Sequence, residues 1–316
     1  MARFGAGDIR AAHAHIPPAF RDSPQFVHEG LSARLGVPVV VKVETVNPIR
    51  AFKGRGTWLA VEGLVGEGRL GPGQPLVVAS SGNFGQGCAY AGRAFGVPVT
   101  VFVSESTPAT KVARMRALGA RVVVTGRDFD AARVASEAET RGGGGLLIID
   151  GQEPRVAIGN GTMAVEVTDA VDSGALPPIA AAYVPLGNGA LLAGIGTWLR
   201  AASPATRIIG IVAAGAPCMA LSWREGRAVE TAEAATYAEG IGCRVPVPEA
   251  LDDMRGVVDD ILLVSEDALH AAEAELRAEL GVTVEGAAGA SWAGALASPP
   301  QGPALLIVTG ANPPAA

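Results

Sequence analysis

Short runs rich in β-branched residues alternate with Ala-rich segments of helical period along almost the whole chain. The runs are Val37–Val43, Leu76–Ala79, Val99–Val103, Arg121–Val124, Leu146–Ile149, Ala182–Pro185, Arg207–Val212, Leu262–Val264 and Ala304–Val308. The helical segments are Arg55–Glu67, Phe84–Phe95, Pro108–Leu118, Asp128–Arg141, Gly161–Ser173, Leu191–Ala202 and Asp267–Leu280. Repeated strand–helix–strand connections produce parallel sheets with helices on both faces. The sequence therefore predicts an α/β fold of twisted parallel sheets flanked by helices.

Composition limits the classes of partner. The 316 residues are 49% hydrophobic and 18% charged, which is typical of an ordered globular protein. The net charge of −6 gives no reason to expect a nucleic acid or an anionic membrane as partner. No run approaches the ~18 apolar residues of a membrane span, and the N-terminal residues lack the apolar stretch of a secretory signal. We therefore expect a cytoplasmic location.

Cysteine and histidine do not form a recognisable site. Cys88, Cys218 and Cys243 are odd in number and widely spaced, so they fit neither a disulfide framework nor a zinc motif. The four histidines are not accompanied by a cluster of metal ligands, and no spacing indicates a Ser-His-Asp or Cys-His arrangement. We predict no metal site and infer that electrophilic chemistry comes from a bound cofactor.

Lysine is rare in this chain. Lys42, Lys53 and Lys111 are its only lysines, so 22 of the 25 basic residues are arginine. Arginine stays protonated, whereas a desolvated lysine can lose its proton and attack an aldehyde. On this feature alone, a solvated loop residue is the more common explanation for Lys53.

Two glycine-containing loops each follow a strand and open a helix, at Ala79–Gly87 and Pro185–Leu191. Such a loop presents free backbone N–H groups at the positive end of a helix, which suits a phosphate or a carboxylate. Neither loop has the Lys-Ser/Thr ending of a nucleoside triphosphate loop, and neither matches the dinucleotide pattern. A reactive amine with two anion sites indicates a phosphorylated aldehyde cofactor and an amino-acid carboxylate.

Several segments occur together in the order and spacing of one enzyme family. They are Asn47–Gly56, Ser80–Gly87, Thr107–Lys111, Arg116–Ala120, Gly159–Glu166, Gly187–Leu191, Val284–Ala288 and Val308–Asn312. With these segments the chain resembles the fold-type II pyridoxal-phosphate (PLP) enzymes of the tryptophan synthase β-like superfamily. It is most similar to the branch of threonine/serine dehydratases and serine racemase. The resemblance extends over nearly the whole chain.

The resemblance implies a role for each residue of the cofactor site. Lys53 is expected to hold the PLP covalently and to remove the substrate Cα proton, with Phe52 packed beneath the ring. Asn83 is expected to contact the phenolic oxygen and Thr309 the pyridine nitrogen. A hydroxyl at Thr309 makes the ring a milder electron sink than a carboxylate would, which favours β-elimination or β-replacement over transamination. The implied phosphate loop consists of Gly187, Asn188, Gly189, Ala190 and Leu191.

The resemblance also implies a substrate site and the rim of the cofactor site. Gly240 corresponds to a glycine at the ring edge, and Glu285 to an acid at the cofactor rim. Ser81 is similar to the serine that acts as the opposite-face base in serine racemase, so it is a second catalytic candidate. The residues implied for the substrate carboxylate and its surroundings are Ser80, Ser81, Gly82, Asn83 and Phe84.

Three departures from the family pattern are visible in the sequence. Ala51 stands where dehydratases usually have serine, and Phe84 where they usually have histidine, so we expect a more apolar pocket. The segment 212–214, Val-Ala-Ala, lies where relatives have a glutamate that binds a divalent cation. Valine offers no side-chain oxygen, so we predict no metal at this position either.

Together these features predict a two-domain fold-type II enzyme. Residues 1–64 and 151–316 are expected to form a large cofactor-binding domain, and residues 65–150 a small mobile one. The predicted activity is an ammonia-lyase reaction, in which a small β-hydroxy or β-substituted L-amino acid passes through an aminoacrylate to a 2-oxo acid and ammonia. Alternatives are β/γ-replacement as in cysteine synthase or threonine synthase, racemisation, and a non-catalytic PLP- or ligand-binding protein. The family implies a homodimer with a small amino-acid substrate.

Overall fold

The computed structural model describes residues 3–127 and 129–313, and within them the strands form two sheets. Strands of the larger sheet are β1 (Gln25–Val27), β2 (Val39–Val43), β7 (Ala181–Pro185), β8 (Arg207–Ala213), β9 (Asp260–Val264) and β10 (Ala304–Val308). Strands of the smaller sheet are β3 (Leu76–Ala79), β4 (Val99–Val103), β5 (Arg121–Val124) and β6 (Leu146–Leu147). The larger sheet has the order β1-β2-β10-β7-β8-β9 and the smaller β5-β4-β3-β6.

Every strand pair in these two sheets is parallel except β1 with β2. The antiparallel β1 was not predicted, because three residues are too few to show a periodic pattern. It lies at the sheet edge, and its Phe26 and Val27 are exposed. The inner strands β2, β7 and β10 are buried along their whole length. They consist mostly of Val, Ile, Leu and Ala, which fits strands that are covered on both faces.

The helices cover both sheets. They are α1 (Ala6–His13), α2 (Glu29–Leu35), α3 (Lys53–Gly66), α4 (Asn83–Phe95), α5 (Ala109–Ala117), α6 (Phe129–Arg141), α7 (Pro154–Asp172), α8 (Ala190–Ala202), α9 (Cys218–Glu225), α10 (Pro248–Met254), α11 (Glu266–Leu280) and α12 (Gly286–Ala297). A 3₁₀ turn spans Glu239–Ile241. Among the helices of the described ranges, none is both long and apolar enough to cross a lipid bilayer.

Two differences from the predicted helices have a local cause. Helix α7 starts seven residues before the predicted Gly161, because Pro154 begins its first turn and the Glu153 side chain accepts a hydrogen bond from the Arg155 N–H. Helix α12 was not predicted, because its Gly, Ala and Ser residues are almost all buried and show no amphipathic period. The predicted start of α6 at Asp128 lies outside the described residues.

Strands β3 to β6 all fall within the range 65–150, and α3 packs against both α4 and α7. The domain boundaries and the mobility of the smaller unit stay predictions. The carboxyl ends of β3, β7 and β10 lead directly into Ser80, Leu186 and Thr309. In open parallel sheets, ligands bind at this edge.

Candidate active site

A cleft with a volume of about 720 Å³ opens at these strand ends and takes its walls from both sheets. Its size is within the range of sites for small ligands. Of the residues predicted for the cofactor and the substrate, all but Ala190 line this cleft. Those that line it are Phe52, Lys53, Ser80, Ser81, Gly82, Asn83, Phe84, Gly187, Asn188, Gly189, Leu191, Gly240, Glu285 and Thr309. Ala190 is buried as the first residue of α8.

Lys53 lies at the start of α3, where the chain is tied to the end of β10. The Phe52 N–H donates to the Thr309 carbonyl at 3.0 Å, which fixes the first turn of α3 beside Thr309. The Lys53 Nζ lies 2.5 Å from the Asp150 Oδ2 and 4.8 Å from the centre of the Phe52 ring. Both charged side chains are mostly buried, with 15% and 16% exposure. The Lys53 side chain therefore lies mostly buried in the cleft and is not a solvated surface residue.

Asp150 was missed by the sequence analysis. It lies 97 positions from Lys53, just after β6, in a segment that matched no acidic motif. The only usable signal was its place after a strand end, which many residues share. Its second oxygen, Oδ1, is buried and accepts no hydrogen bond from the described residues.

The serine-containing loop after β3 is held by one of its own hydroxyls. The Ser80 Oγ accepts hydrogen bonds from the backbone N–H groups of Gly82 and Gly85, at 3.2 and 3.1 Å. A Cβ on Gly85 would lie 3.0 Å from the Ser80 carbonyl oxygen, so glycine is needed for this close approach. The loop opens α4, whose first N–H groups have no helical partner. An anion can therefore bind at the start of α4, beside Ser81.

Asn83 belongs to a hydrogen-bonded group that joins α4 to the end of β10. Its Nδ2 donates to both oxygens of Glu285, at 2.9 and 3.2 Å. Asn312 donates from Nδ2 to the Asn83 Oδ1 at 2.8 Å and from its backbone N–H to Glu285 at 3.1 Å. Burial raises the pKa of Glu285, and these hydrogen bonds only partly offset the rise. Asn83 is thereby fixed in orientation at the rim of the cleft.

The loop after β7 is shaped by two glycines. Gly189 has a φ of +106°, in the left-handed region that favours glycine. A Cβ on Gly187 would lie 2.6 Å from the Gly240 carbonyl oxygen. The Asn188 Oδ1 accepts a hydrogen bond from the Ala190 N–H at 3.2 Å, which caps α8. The next N–H groups of α8 have no helical partner, so an anion can bind at this helix start.

Thr309 carries an unpaired buried hydroxyl. The residue is 2% exposed, and its Oγ1 has no hydrogen-bond partner among the residues of the described ranges. A buried hydroxyl without a partner costs free energy. Because Thr309 lines the cleft, a bound ligand can supply the missing partner.

Two other positions of the sequence analysis lie at or beside the cleft. Phe84 is 5% exposed and its ring centre is 6.0 Å from the Lys53 Nζ, so this side of the amine is apolar. Ala51 is fully buried. Cys243 lines the cleft, whereas Cys88 is buried in α4 and burial raises the pKa of its thiol.

Lys111 forms an ion pair with Glu239, and both residues line the cleft. Lys111 belongs to α5, which packs on the smaller sheet, and Glu239 to the 3₁₀ turn near the larger one. The pair therefore connects the two walls.

A buried charge network lies behind α3. Arg55 is fully buried and donates to both oxygens of Glu44, at 3.0 and 2.9 Å, and to Glu166. Lys42, also fully buried, donates to Glu166 as well. Burial alone would raise the pKa of Glu166, but the hydrogen bonds and charges of Arg55 and Lys42 outweigh it and lower that pKa to about 2. The network fixes α3, and with it Lys53, against β2 and α7.

One group of described side chains has the spacing of metal ligands: His13, Asp22 and Glu166. Glu166 already accepts hydrogen bonds from Arg55 and Lys42, whose positive charges oppose a cation at this place. The group is empty and we assign no site to it. Val212, in the segment predicted to lack a metal, is buried in β8. The absence of a metal there stays a prediction.

Comparisons with known proteins agree on one family. A family model described as "Pyridoxal-phosphate dependent enzyme" matches residues 16–310. The L-threonine ammonia-lyase of Geobacter sulfurreducens is 35% identical over 284 residues, which are 89% of this chain and 69% of the relative. The mitochondrial threonine dehydratase of Saccharomyces cerevisiae is 32% identical over 86% of this chain, but this chain spans only 46% of its length. The crystal structure of a threonine deaminase from T.th. has 30% identity and a TM-score of 0.89, and the match covers 99% of this chain and 100% of that one.

Proposed function

We propose that this chain, which belongs to the family of pyridoxal-phosphate-dependent enzymes, removes water from a small β-hydroxy L-amino acid. The products are a 2-oxo acid and ammonia. The observation that carries the proposal is the position of Lys53, whose amine lies in a cleft lined by both glycine-containing loops and by Thr309. The names of the relatives, L-threonine ammonia-lyase and threonine deaminase, support L-threonine as the first substrate to test.

The residues of the cleft fit PLP. The pyridine nitrogen of PLP can accept the hydrogen bond that the buried Thr309 hydroxyl lacks. The start of α8, with the glycines at 187 and 189, suits its phosphate. The Lys53 amine suits its aldehyde. These three chemical groups match three separate features of the site.

When bound, the cofactor supplies an electron sink for the charge that develops at the substrate Cα. Lys53 would hold it covalently, and the Lys53 amine would take the Cα proton. Phe52 and Asn83 would help to hold the cofactor, and Glu285 and Asn312 set the orientation of Asn83. A threonine hydroxyl leaves the sink mild, which favours loss of a β-substituent over transamination.

The substrate carboxylate would bind at the start of α4. Ser81 and the backbone N–H groups of Asn83 and Phe84 would donate to it. The Ser80 hydroxyl accepts from the Gly82 and Gly85 N–H groups and keeps the loop closed. Phe84 keeps water away from the amine, since it covers one side of Lys53. Binding of the carboxylate at the start of α4 and of the amino group beside Lys53 would fix the substrate at two points and orient its Cα–H bond towards Lys53.

The test is formation of 2-oxo acid from L-threonine, L-serine and other β-hydroxy amino acids. We expect activity in the native enzyme and none in Lys53→Ala. Lys53→Arg is the matched variant, because it keeps the positive charge but cannot bond to the aldehyde, and it should also be inactive. The proposal fails if no β-hydroxy amino acid yields a 2-oxo acid, or if either variant retains the activity.

A second candidate is racemisation of the same substrates. It is favoured by Ser81, whose side chain lines the cleft. Chiral analysis of the substrate recovered after partial reaction tests it, because a racemase leaves both enantiomers. The sequence Gly187-Asn188-Gly189 also keeps β-replacement as an alternative, and added thiols would then be incorporated into the product.

Three finer expectations from the sequence remain proposals. They are a homodimer, a cytoplasmic location, and a small domain of residues 65–150 that moves against the rest of the chain. The first can be tested by light scattering of the purified protein, and the last by hydrogen exchange with and without substrate.

A further inference from the structure

Asp150 lies closer to the Lys53 amine than any other acidic side chain of the described residues. Its Oδ2 is 2.5 Å from Nζ, and its Oδ1 is buried without a donor from the described part of the chain. A buried carboxylate oxygen without a donor is costly, so a donor that arrives with the ligand is favoured. Asp150 also lines the cleft that holds the predicted substrate loop. Oδ2 thus meets the base, while Oδ1, at the wall of the cleft, has no donor of its own among the described residues.

The backbone around Asp150 is held on both sides. Before it, the Ile148 N–H donates to the Val77 carbonyl at 3.1 Å, which continues the pairing of β6 with β3. After it, Arg3 donates to the Gly151 carbonyl at 2.9 Å and is itself paired with Asp253. The carboxylate is therefore fixed in place and does not belong to a loose loop.

We propose that Asp150 is a catalytic residue that passes the proton removed by Lys53 to the departing β-group of the substrate. The proposal rests on the elimination reaction proposed above. It names the substrate class more narrowly, as amino acids whose β-substituent must gain a proton to leave, such as a hydroxyl.

The proton balance closes within the site. Lys53 takes the proton from Cα, and the electron pair of that bond becomes the Cα–Cβ double bond. The Cβ–O bond breaks with its electron pair on oxygen, and that oxygen takes a proton from Asp150 and leaves as water. That proton is the one taken from Cα, which the Lys53 ammonium has passed to the Asp150 carboxylate through the 2.5 Å contact. One proton leaves carbon and one reaches oxygen, so no other acid is required.

The relay predicts that the effect of Asp150 depends on the leaving group. Hydroxide is a poor leaving group and needs a proton, whereas chloride leaves without one. L-serine and β-chloro-L-alanine share the same carbon skeleton and differ only in this group. L-alanine has no leaving group, and exchange of its Cα proton with deuterium oxide reports on Lys53 alone.

Asp150→Asn is the test variant, because it keeps the shape and removes the transferable proton. We expect kcat/KM for L-serine to fall by about 100-fold or more, the usual contribution of a general acid, and that for β-chloro-L-alanine to change by less than about 3-fold. Exchange of the alanine Cα proton, followed by proton NMR, should change equally little. Asp252→Asn, on the surface with 69% side-chain exposure, is the matched control and should leave all three rates unchanged.

Each other outcome contradicts the relay. An equal loss for serine, chloroalanine and alanine exchange would mean that Asp150 only positions Lys53. No loss for serine would mean that it has no part in the reaction. If native enzyme fails to eliminate from any β-hydroxy amino acid, the proposed function fails as well. Normal native activity with an unaffected Asp150→Asn variant contradicts only the relay.

Two further measurements protect the test against a variant that folds or binds cofactor poorly. Cofactor content, from the absorbance spectrum and from mass spectrometry after borohydride reduction, should equal that of native enzyme. If it does not, Asp150→Ala with added sodium formate replaces it. Formate should restore L-serine elimination and leave β-chloro-L-alanine unchanged, and failure to restore the serine reaction would overturn the proposal.

Discussion

Replacing Glu166 by Gln removes one negative charge from the buried network behind α3, and its cost follows from the pKa of this group. The pKa is lowered from 4.5 to about 2, a difference of about 2.5, and each unit corresponds to about 1.36 kcal/mol. Ionised Glu166 therefore stabilises the folded state by about 3 kcal/mol at pH 7. Loss of one partner from a buried ion pair typically costs about 3–5 kcal/mol, which agrees.

The sign of the pH dependence follows from the lowered pKa. Glu166 stabilises fully above its unfolded pKa of 4.5, and this contribution is lost as the pH falls through the folded pKa of about 2. With these two pKa values, about 2 kcal/mol remains at pH 3.5. The difference in the free energy of unfolding between native protein and Glu166→Gln should therefore shrink by about a third between pH 7 and pH 3.5.

Urea unfolding of the cofactor-free proteins at both pH values measures this difference without a contribution from cofactor binding. Asp169→Asn is the matched control, because it breaks an ion pair with Arg10 in which both side chains are nearly half exposed. It should cost less than about 1 kcal/mol at pH 7. A Glu166→Gln cost no larger than this control, or one that grows as the pH falls, would refute the reasoning.

Three further predictions follow from the site. Thr309→Val removes a buried hydroxyl without a partner among the described residues, so the cofactor-free protein should be at least as stable as before. PLP binding should weaken by about fivefold, which corresponds to one hydrogen bond. Unchanged PLP affinity in a fluorescence titration would contradict this. Gly189→Ala should destabilise the protein by about 1–2 kcal/mol, because Gly189 has a positive φ. Gly66→Ala is the control, because a Cβ there meets open space, and it should not destabilise the protein. Equal changes in Tm for the two variants would contradict this. Iodoacetamide should label Cys243 before Cys218, because the hydrogen bond between them lowers the pKa of Cys243 and raises the pKa of Cys218. PLP should protect Cys243, which lines the cleft. Labelling in the opposite order, followed by peptide mapping, would count against this.

The sequence predicted those parts of the fold that depend on local patterns. The strand–helix alternation predicted the inner strands, and the two glycine-containing loops gave the positions where strands end at the cleft. Helix α12 and strand β1 were missed because a fully buried helix and a three-residue edge strand show no periodicity. Their existence depends on packing against neighbours, which a single segment does not encode.

The residues of the candidate site also fall into two groups, those that lie in a contiguous motif and those that only packing brings together. Lys53, the serine-containing loop and Thr309 were predicted because each lies in a contiguous motif, and all of them line the cleft. Asp150 and the part of the charge network centred on Glu166 were not, since their contacts join residues 97 to 124 positions apart. Lys42 was noticed only as a rare lysine, although it is fully buried against Glu166. Such pairs are set by the packing of α3, β2 and α7 and leave no mark within one stretch of sequence.

The most direct test of the account is to reduce the PLP-loaded enzyme with borohydride and to locate the modified lysine by peptide mass spectrometry. The chain has only Lys42, Lys53 and Lys111, so the result is unambiguous. We predict that the pyridoxyl group is attached to Lys53 and that Lys42 and Lys111 are unmodified. Stoichiometric attachment to Lys111, or no attachment to any lysine, would contradict the assignment of Lys53 as the residue that holds the cofactor.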